Sequence, residues 1–189
     1  MRVIAGTHRG RRLRRPQGLA LRPTSDRVRE ALFSIIGNRL LDSQFLDLYA
    51  GTGAVGVEAL SRGAAHVTCV ESDAEALTLL RRNIMDCGIT ENVTICAHRV
   101  EHFLSRPDQW EGPYQLVFAD PPYAVTHEFT ALLSGIATNR LFADDAWLII
   151  EHANKTSLPS SLGCAIRTRQ YRYGDTALSL YSISHAGLR

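Results

Sequence analysis

Apolar residues along this chain keep two different spacings. Val28, Ala31, Leu32, Ile35 and Ile36 recur at i, i+3, i+4, i+7 and i+8, the stripe of one amphipathic helix. It starts at the hydroxyls of Thr24 and Ser25, which suit an N-cap, and ends near Gly37. Arg27 and Arg29 lie off that stripe and are expected to face a ligand. Beyond this helix, short apolar runs alternate with helical stretches. The reading is strand Phe45 to Ala50, helix Val55 to Arg62, strand His66 to Glu71, helix Asp73 to Cys87, strand Val93 to His98 and short helix Val100 to Ser105. It continues with strand Tyr114 to Asp120, helix His127 to Thr138 and strand Ala146 to His152. Strands that are nearly unbroken apolar runs, such as Gln115-Leu116-Val117-Phe118-Ala119, belong in a parallel sheet covered on both faces. The expected fold is therefore α/β, a doubly wound sheet that is mostly parallel. Ala165 to Tyr173 and Ala177 to Ile183, joined through Gly174-Asp175, add a C-terminal antiparallel hairpin at one edge.

Composition narrows the setting. The 189 residues, 45% hydrophobic and 21% charged, predict a single domain over residues 1–189 with a basic N-terminal extension at about 1–24. No apolar stretch approaches the roughly 18 residues of a membrane span, and Met1-Arg2-Val3-Ile4-Ala5-Gly6 lacks the apolar core of a secretory signal. A cytoplasmic protein without a membrane partner is expected. Cys69, Cys87, Cys96 and Cys164 form no Cys-x-x-Cys pair and have no His at metal-ligand spacing, so they are read as buried free thiols and no metal is expected.

The net charge of +2 conceals an asymmetry. Residues 1–29 hold nine arginines (2, 9, 11, 12, 14, 15, 22, 27 and 29) against the single acid Asp26, a charge of +8, so the rest of the chain carries −6. Such a segment is either a solvated tail or an anion-binding arm, and the polyanion it most often meets is a phosphate backbone. If about five of those arginines meet phosphates, log K falls against log salt with a slope of roughly −3.5 to −4.5.

Asp47-Leu48-Tyr49-Ala50-Gly51-Thr52-Gly53-Ala54-Val55-Gly56 sets a glycine turn between the first core strand and its helix, at the edge where open α/β sheets bind ligands. Glu71 ends the next strand, 20 residues after Gly51, where a carboxylate can accept from both hydroxyls of a ribose. Together these indicate an adenosine-containing ligand. The Gly-x-Gly-x-x-Gly string also matches a dinucleotide fingerprint, which keeps a nicotinamide oxidoreductase as the rival class. Against it, Asp47 suits a cationic ligand such as the ammonium of a methionine moiety, and the chain is too short for a separate substrate domain. The fourth strand also ends in a motif that dehydrogenases do not need.

That motif is Asp120-Pro121-Pro122-Tyr123, which follows its strand directly and projects from the same edge as the glycine loop. An exocyclic amino group on a purine is a poor nucleophile because its lone pair is delocalised into the ring. Two acceptors aimed at its hydrogens, the Asp120 carboxylate and the Pro121 carbonyl, favour a pyramidal nitrogen with a localised lone pair. Consecutive prolines preset the carbonyl geometry. Tyr123 can stack on the base for roughly 1–3 kcal/mol.

These residues resemble the class I methyltransferases, which have a Rossmann-like fold, and within them the bacterial 16S ribosomal RNA (guanine-N2)-methyltransferases. The likeness spans nearly the whole chain. It runs through Arg2 to Gly6, Arg9-Gly10-Arg11, the Arg22-Pro23-Thr24 segment to Phe33, Asp47 to Gly56, Glu58 to Ala64, Glu71, Asp120 to Tyr123 and Tyr173-Gly174-Asp175-Thr176. The resemblance implies methyl transfer from S-adenosyl-L-methionine to N2 of one guanine in 16S rRNA, within an assembled or partly assembled small ribosomal subunit. It also implies that Asp47, Gly51 and Gly53 hold the methionine end, with Tyr49 beside them. Glu71, with Ser72 next to it, holds the ribose, and Asp120 to Tyr123 hold the target base. Where such proteins offer an Asn or Asp near the adenine, this chain has His98-Arg99-Val100-Glu101, which leaves the Val100 backbone or Glu101 as candidates for the adenine contact. Arg9, Arg11, Arg12, Arg22, Arg27 and Arg29 are the expected RNA-binding set, and a monomer is expected.

Other chemistry has less support. The seven histidines show no triad spacing and no serine sits in Gly-x-Ser-x-Gly. His127 and His152 are candidates to line the pocket, Trp110 and Trp147 are read as packing, and Arg167, Arg169 and Arg172 could extend the RNA surface. A non-catalytic RNA-binding module and an amino-group methyltransferase acting on adenine N6 or a protein glutamine remain as alternatives. The acceptor pair alone does not separate the last of these from guanine.

Overall fold

The computed structural model describes residues 1–15, 25–135 and 141–183. Arg22 of the RNA-binding set, the Thr24 cap, the end of the predicted His127 to Thr138 helix and His185 lie outside the described residues.

The elements in chain order are α1 (Asp26–Ile36), β1 (Gln44–Leu48), α2 (Ala54–Ser61), β2 (His66–Val70), α3 (Ala74–Asp86), β3 (Val93–Cys96) and α4 (Val100–Leu104), then β4 (Tyr114–Ala119), α5 (Thr126–Gly135), β5 (Phe142–Ala153), β6 (Ser161–Leu162), β7 (Ala165–Tyr173) and β8 (Thr176–Ile183). The expected α/β sheet is present, with strand order β3-β2-β1-β4-β5-β8-β7-β6. β1 to β5 pair in parallel, whereas β8 is antiparallel to β5 and β7 to β8. Two details differ from expectation. The C-terminal hairpin closes one edge as expected, but it is its second strand β8 that lies against β5, and a two-residue strand β6 is added beyond β7. β5 also begins at Phe142 rather than Ala146, across an irregular register next to Tyr114.

Helix starts follow local chemistry. Ser25 caps α1 by accepting from the Val28 N–H, and Asp73 caps α3 by accepting from Ala76. α2 starts differently, at Gly53 in the left-handed region with φ 76° and no side-chain cap. Its early turns must lie against the sheet, because a Cβ on Gly56 would come within 2.8 Å of Cys69 Sγ and 3.4 Å of Asp47 Oδ2.

Apolar side chains pack on both faces of the sheet. One cluster joins Leu32 and Phe33 of α1, Val57 of α2 and Leu80 of α3 to Phe45, Phe118 and Ile149. The other joins Phe103 of α4 and Phe129 of α5 to Leu46, Val117 and Leu148.

The basic N-terminal residues are part of the first layer. Residues 1–13 form a small hairpin, with an antiparallel bridge between Arg2 and Arg12, and bury Val3 and Leu13 in the core. Wholly buried Glu58 on α2 holds this hairpin by accepting from the Ile4 and Ala5 N–H groups at 2.8 and 2.9 Å and from Arg62 Nε at 2.7 Å. Asn83, also wholly buried, accepts from the Arg14 N–H at 2.7 Å and donates to the carbonyls of Arg14 at 3.2 Å and Thr52 at 2.9 Å.

Candidate active site

The carboxyl ends of β1, β2 and β4 open into a cavity of about 590 Å³. Parallel pairing brings this about, since Leu48 lies beside both Val70 and Ala119 and the residues that follow those three leave the sheet together.

Asp47 sits near the end of β1, only 1% exposed, and its Oδ2 accepts from the Gly56 N–H at 3.0 Å. Burial pushes its carboxyl up to about 8, and the charges of Asp120 and Glu71 add to that rise against the opposing Gly56 hydrogen bond. A buried acid of this kind is matched by a cation. Glu71, just past β2, braces the glycine turn: Oε2 accepts from Gly51 at 2.8 Å, and Oε1 from the Ser72 and Asp73 N–H groups at 2.7 and 2.8 Å. These bonds leave a lone-pair direction of Oε2 uncommitted among those described, and Glu71 lines the cavity.

Tyr49 follows β1 with a positive φ of 60°, packs edge-on against Phe129 and donates to Glu101 Oε1 at 3.4 Å. Burial, with Glu101 beside it, pushes its phenol up. His98, Arg99, Val100 and Glu101 line the wall where α4 begins, so the segment that departs from the family pattern does meet the cavity. Ser72 lines it as well. Gly53 is not among the described lining residues. It turns the chain into α2, and a Cβ there would touch Leu80 Cδ1 at 3.0 Å.

Asp120, Pro121, Pro122 and Tyr123 all line the same cavity. The Asp120 N–H donates to the Leu48 carbonyl at 3.3 Å, tying the loop to β1. The Pro122 carbonyl accepts from Val125 N–H at 2.9 Å and Thr126 Oγ1 at 3.3 Å, so it is committed to the turn. Tyr123 remains 46% exposed at the rim. Sequence reasoning passed over Thr52, Val70, Asp73, Phe118 and Glu151, which also line the cavity. For Glu151 a signal existed, since it follows an apolar strand run directly, as Glu71 and Asp120 do.

Among the arginines, Arg9, Arg11, Arg12 and Arg27 are exposed on the N-terminal hairpin and α1. Arg11 also donates to the Asp86 carbonyl, and Arg14 Nε pairs with Asp86 Oδ2 at 2.8 Å, which lowers the Asp86 carboxyl. Arg2, Arg9 and Arg27 share a second hollow of about 470 Å³ with Asp26 and Glu30. Arg29 corrects the expectation, since it is wholly buried and cannot meet a phosphate. Its Nη2 donates to the Arg2 carbonyl and to Asp26 Oδ1, and its Nε lies 3.8 Å from Glu58. The missed signal was Phe33 and Ile36 at Arg29 plus four and plus seven, which put Arg29 on the buried side of α1.

The histidine candidates are corrected too. His152 is wholly buried, bonded to Ser179 Oγ at 2.8 Å and turned away from the cavity, and burial lowers its pKa. His127 is exposed on α5 and is not among the described lining residues. Trp110 and Trp147 pack against the core as expected.

Comparison with known proteins places the chain among relatives. The family model "Conserved hypothetical protein 95" matches residues 1–182. The ribosomal RNA small subunit methyltransferase D of Escherichia coli (strain K12) is 36% identical over 183 residues, covering 96% of this chain and 89% of that protein. A structure of a hypothetical protein from Thermus thermophilus superposes with a TM-score of 0.80 at 32% identity, over 95% of this chain and 98% of the other. An RNA methyltransferase from Salinibacter ruber, solved with S-adenosyl-L-homocysteine, shares the fold at a TM-score of 0.63 and 14% identity, over 87% and 95% of the two chains.

Proposed function

The chain belongs to the Conserved hypothetical protein 95 family, and on that premise we propose that it methylates the N2 amino group of one guanine in 16S ribosomal RNA. Its class is that of S-adenosylmethionine-dependent rRNA methyltransferases. The observation that carries the amino-methylation reading is one cavity lined both by a buried acid suited to a cation, Asp47, and by the Asp120 to Tyr123 acceptor loop, and the family likeness directs it to guanine.

The lining fits S-adenosylmethionine. Asp47 answers the ammonium at the methionine end, Glu71 the ribose hydroxyls, and Val70 and Val100 give an apolar slot for the adenine with Glu101 at its edge. The bound cofactor supplies a methyl group made electrophilic by its sulfonium charge. The protein's part is to hold the acceptor in line, exclude water and take the proton. Asp120 and the Pro121 carbonyl accept the two N2 hydrogens and direct the lone pair at the methyl carbon. With the cofactor bound, the Asp120 carboxylate would receive the N2 proton that is displaced as the methyl group passes to the N2 nitrogen and the bonding electron pair stays on sulfur. Tyr123, exposed at the rim, stacks on a base drawn out of its helix at a cost of a few kcal/mol.

Arg9, Arg11, Arg12 and Arg27 supply the phosphate contacts. The substrate is the small ribosomal subunit or an assembly intermediate of it, met by a monomer in the cytoplasm. Among the described residues no helix is long and apolar enough to cross a membrane. The test uses radiolabelled S-adenosylmethionine with naked 16S RNA, small subunits and duplex DNA, and identifies the labelled nucleoside. Label in N2-methylguanosine that falls by at least about 100-fold in Asp120→Ala supports the reading. Label in methyladenine overturns the base assignment.

A further inference from the structure

The Asp120 loop explains how an amino group is activated but not which base carries it, since adenine N6 would suit the same acceptors. The adjoining strand supplies the difference. Ala119 of β4 lies beside Ile150 of β5, so Asp120 and Glu151 follow as neighbours on parallel strands. Phe118 and Ile149 are paired one step earlier, and both belong to the cluster under α1, α2 and α3. Alternation along the strands then directs Asp120 and Glu151 to that same face. Glu151 is 6% exposed and lines the cavity together with Asp120 and Phe118. The methyl-transfer step described above does not use it.

We propose that Glu151 is the residue that selects the target base, its carboxylate accepting from the N1–H of a guanine whose N2 amino group faces Asp120. This rests on the guanine-N2 reading and deepens it. A guanine edge presents N1–H and N2–H side by side, two donors in a row, and two neighbouring carboxylates present acceptors in a row. Adenine presents an acceptor at N1 beside its N6 donors, so a carboxylate there faces a lone pair. A buried acceptor left against an acceptor rejects the wrong base far more strongly than a missing apolar contact does. Selection is thereby separated from activation: Asp120 acts on the reacting nitrogen, while Glu151 reads the atom next to it in the ring.

The discriminating substrate is 2-aminopurine, which keeps the amino group at C2 but has an unprotonated N1. The guanine methylated by the wild-type protein is mapped, then replaced by 2-aminopurine through splinted ligation, and kcat/KM is compared for the two RNAs. Wild type is expected to use guanine roughly 10- to 100-fold better. Glu151→Gln, whose amide can donate to an unprotonated N1, is expected to shrink that preference to within about 3-fold while still binding S-adenosylhomocysteine. Glu151→Asp, which keeps the acceptor, retains the preference at a lower rate. Equal use of both RNAs by the wild type overturns the role of Glu151 without any variant, as does a Glu151→Gln protein that keeps the full preference. Either result leaves the guanine-N2 reading intact. Label found in adenine, or absent from guanine in the unmodified RNA, overturns that reading itself.

Discussion

A carboxyl group as enclosed as Asp47 ionises only at a cost, and across the same cavity it faces the like charges of Asp120 and Glu71. With its pKa raised to about 8, the ligand-free protein keeps Asp47 protonated at neutral pH, whereas the unfolded chain loses that proton near 3.8. The folded state therefore holds the extra proton between those values, and the Asp47 contribution to stability declines as pH rises from about 4 to about 8. Urea unfolding of the ligand-free protein should reveal the slope, and Asp47→Asn should remove that component of it. Ligand binding carries the same proton in the other direction, because a cation pairs with the ionised form. At pH 7, S-adenosylhomocysteine binding is expected to release a proton that calorimetry detects as a buffer-dependent enthalpy. Asp47→Asn should bind more weakly and lose that release. A wild-type enthalpy independent of the buffer would remove Asp47 from the cofactor contact. Glu71 and Asp120 were legible as sequence because each ends an apolar strand run, and Asp47 because it is the one carboxylate in the run that leads into the glycine turn. The burial of Arg29 was also legible, from Phe33 and Ile36 on its side of α1, whereas its partners Arg2 and Glu58, 27 and 29 positions away, lie beyond any local pattern.

At the scale of elements, the alternation of apolar runs and helical stretches was enough to predict each of the main parallel strands and the helices between them. Ends shifted by a few residues, and β6 escaped notice because two residues carry no periodicity. How the N-terminal residues attach was equally hidden. A lone carboxylate inside the apolar run Ala54 to Leu60 was the available sign, and Glu58 proves to be the anchor for two backbone N–H groups and for Arg62. Removing one member of a buried charged cluster strands its partners, here Arg29 above all. Glu58→Leu is therefore expected to cost about 3–5 kcal/mol in denaturant unfolding. A loss within about 0.5 kcal/mol, the size of an ordinary surface change, would mean the hairpin is held by Val3, Leu13 and its hydrogen bonds to Ser61 rather than by Glu58.

For the whole molecule, the charge map separates a basic N-terminal face from an acidic site. With Arg29 buried, the described members of the expected set are Arg9, Arg11, Arg12 and Arg27, and phosphate contacts from these four alone give a slope of log K against log salt of roughly −2.8 to −3.6. Filter binding of small subunits across a salt series measures it, and a slope near zero would take RNA backbone contacts away from this face. The strand order carries a consequence of another kind, one of timing. β8 is the last described strand along the chain, yet it occupies the sixth place in the sheet, between β5 and β7, and is buried along nearly its whole length. Until that segment has been synthesised, β5 has no partner on one side, and β7 and β6 have no sheet to join. From the completion of β5 to the delivery of β8 the nascent chain thus exposes an apolar strand edge, a state open to chaperones and to aggregation. Glu151 of the active-site cavity, which lies on β5 opposite Leu178, gains that neighbour only when β8 has been delivered, so the wall of the site waits on a segment that does not itself line it.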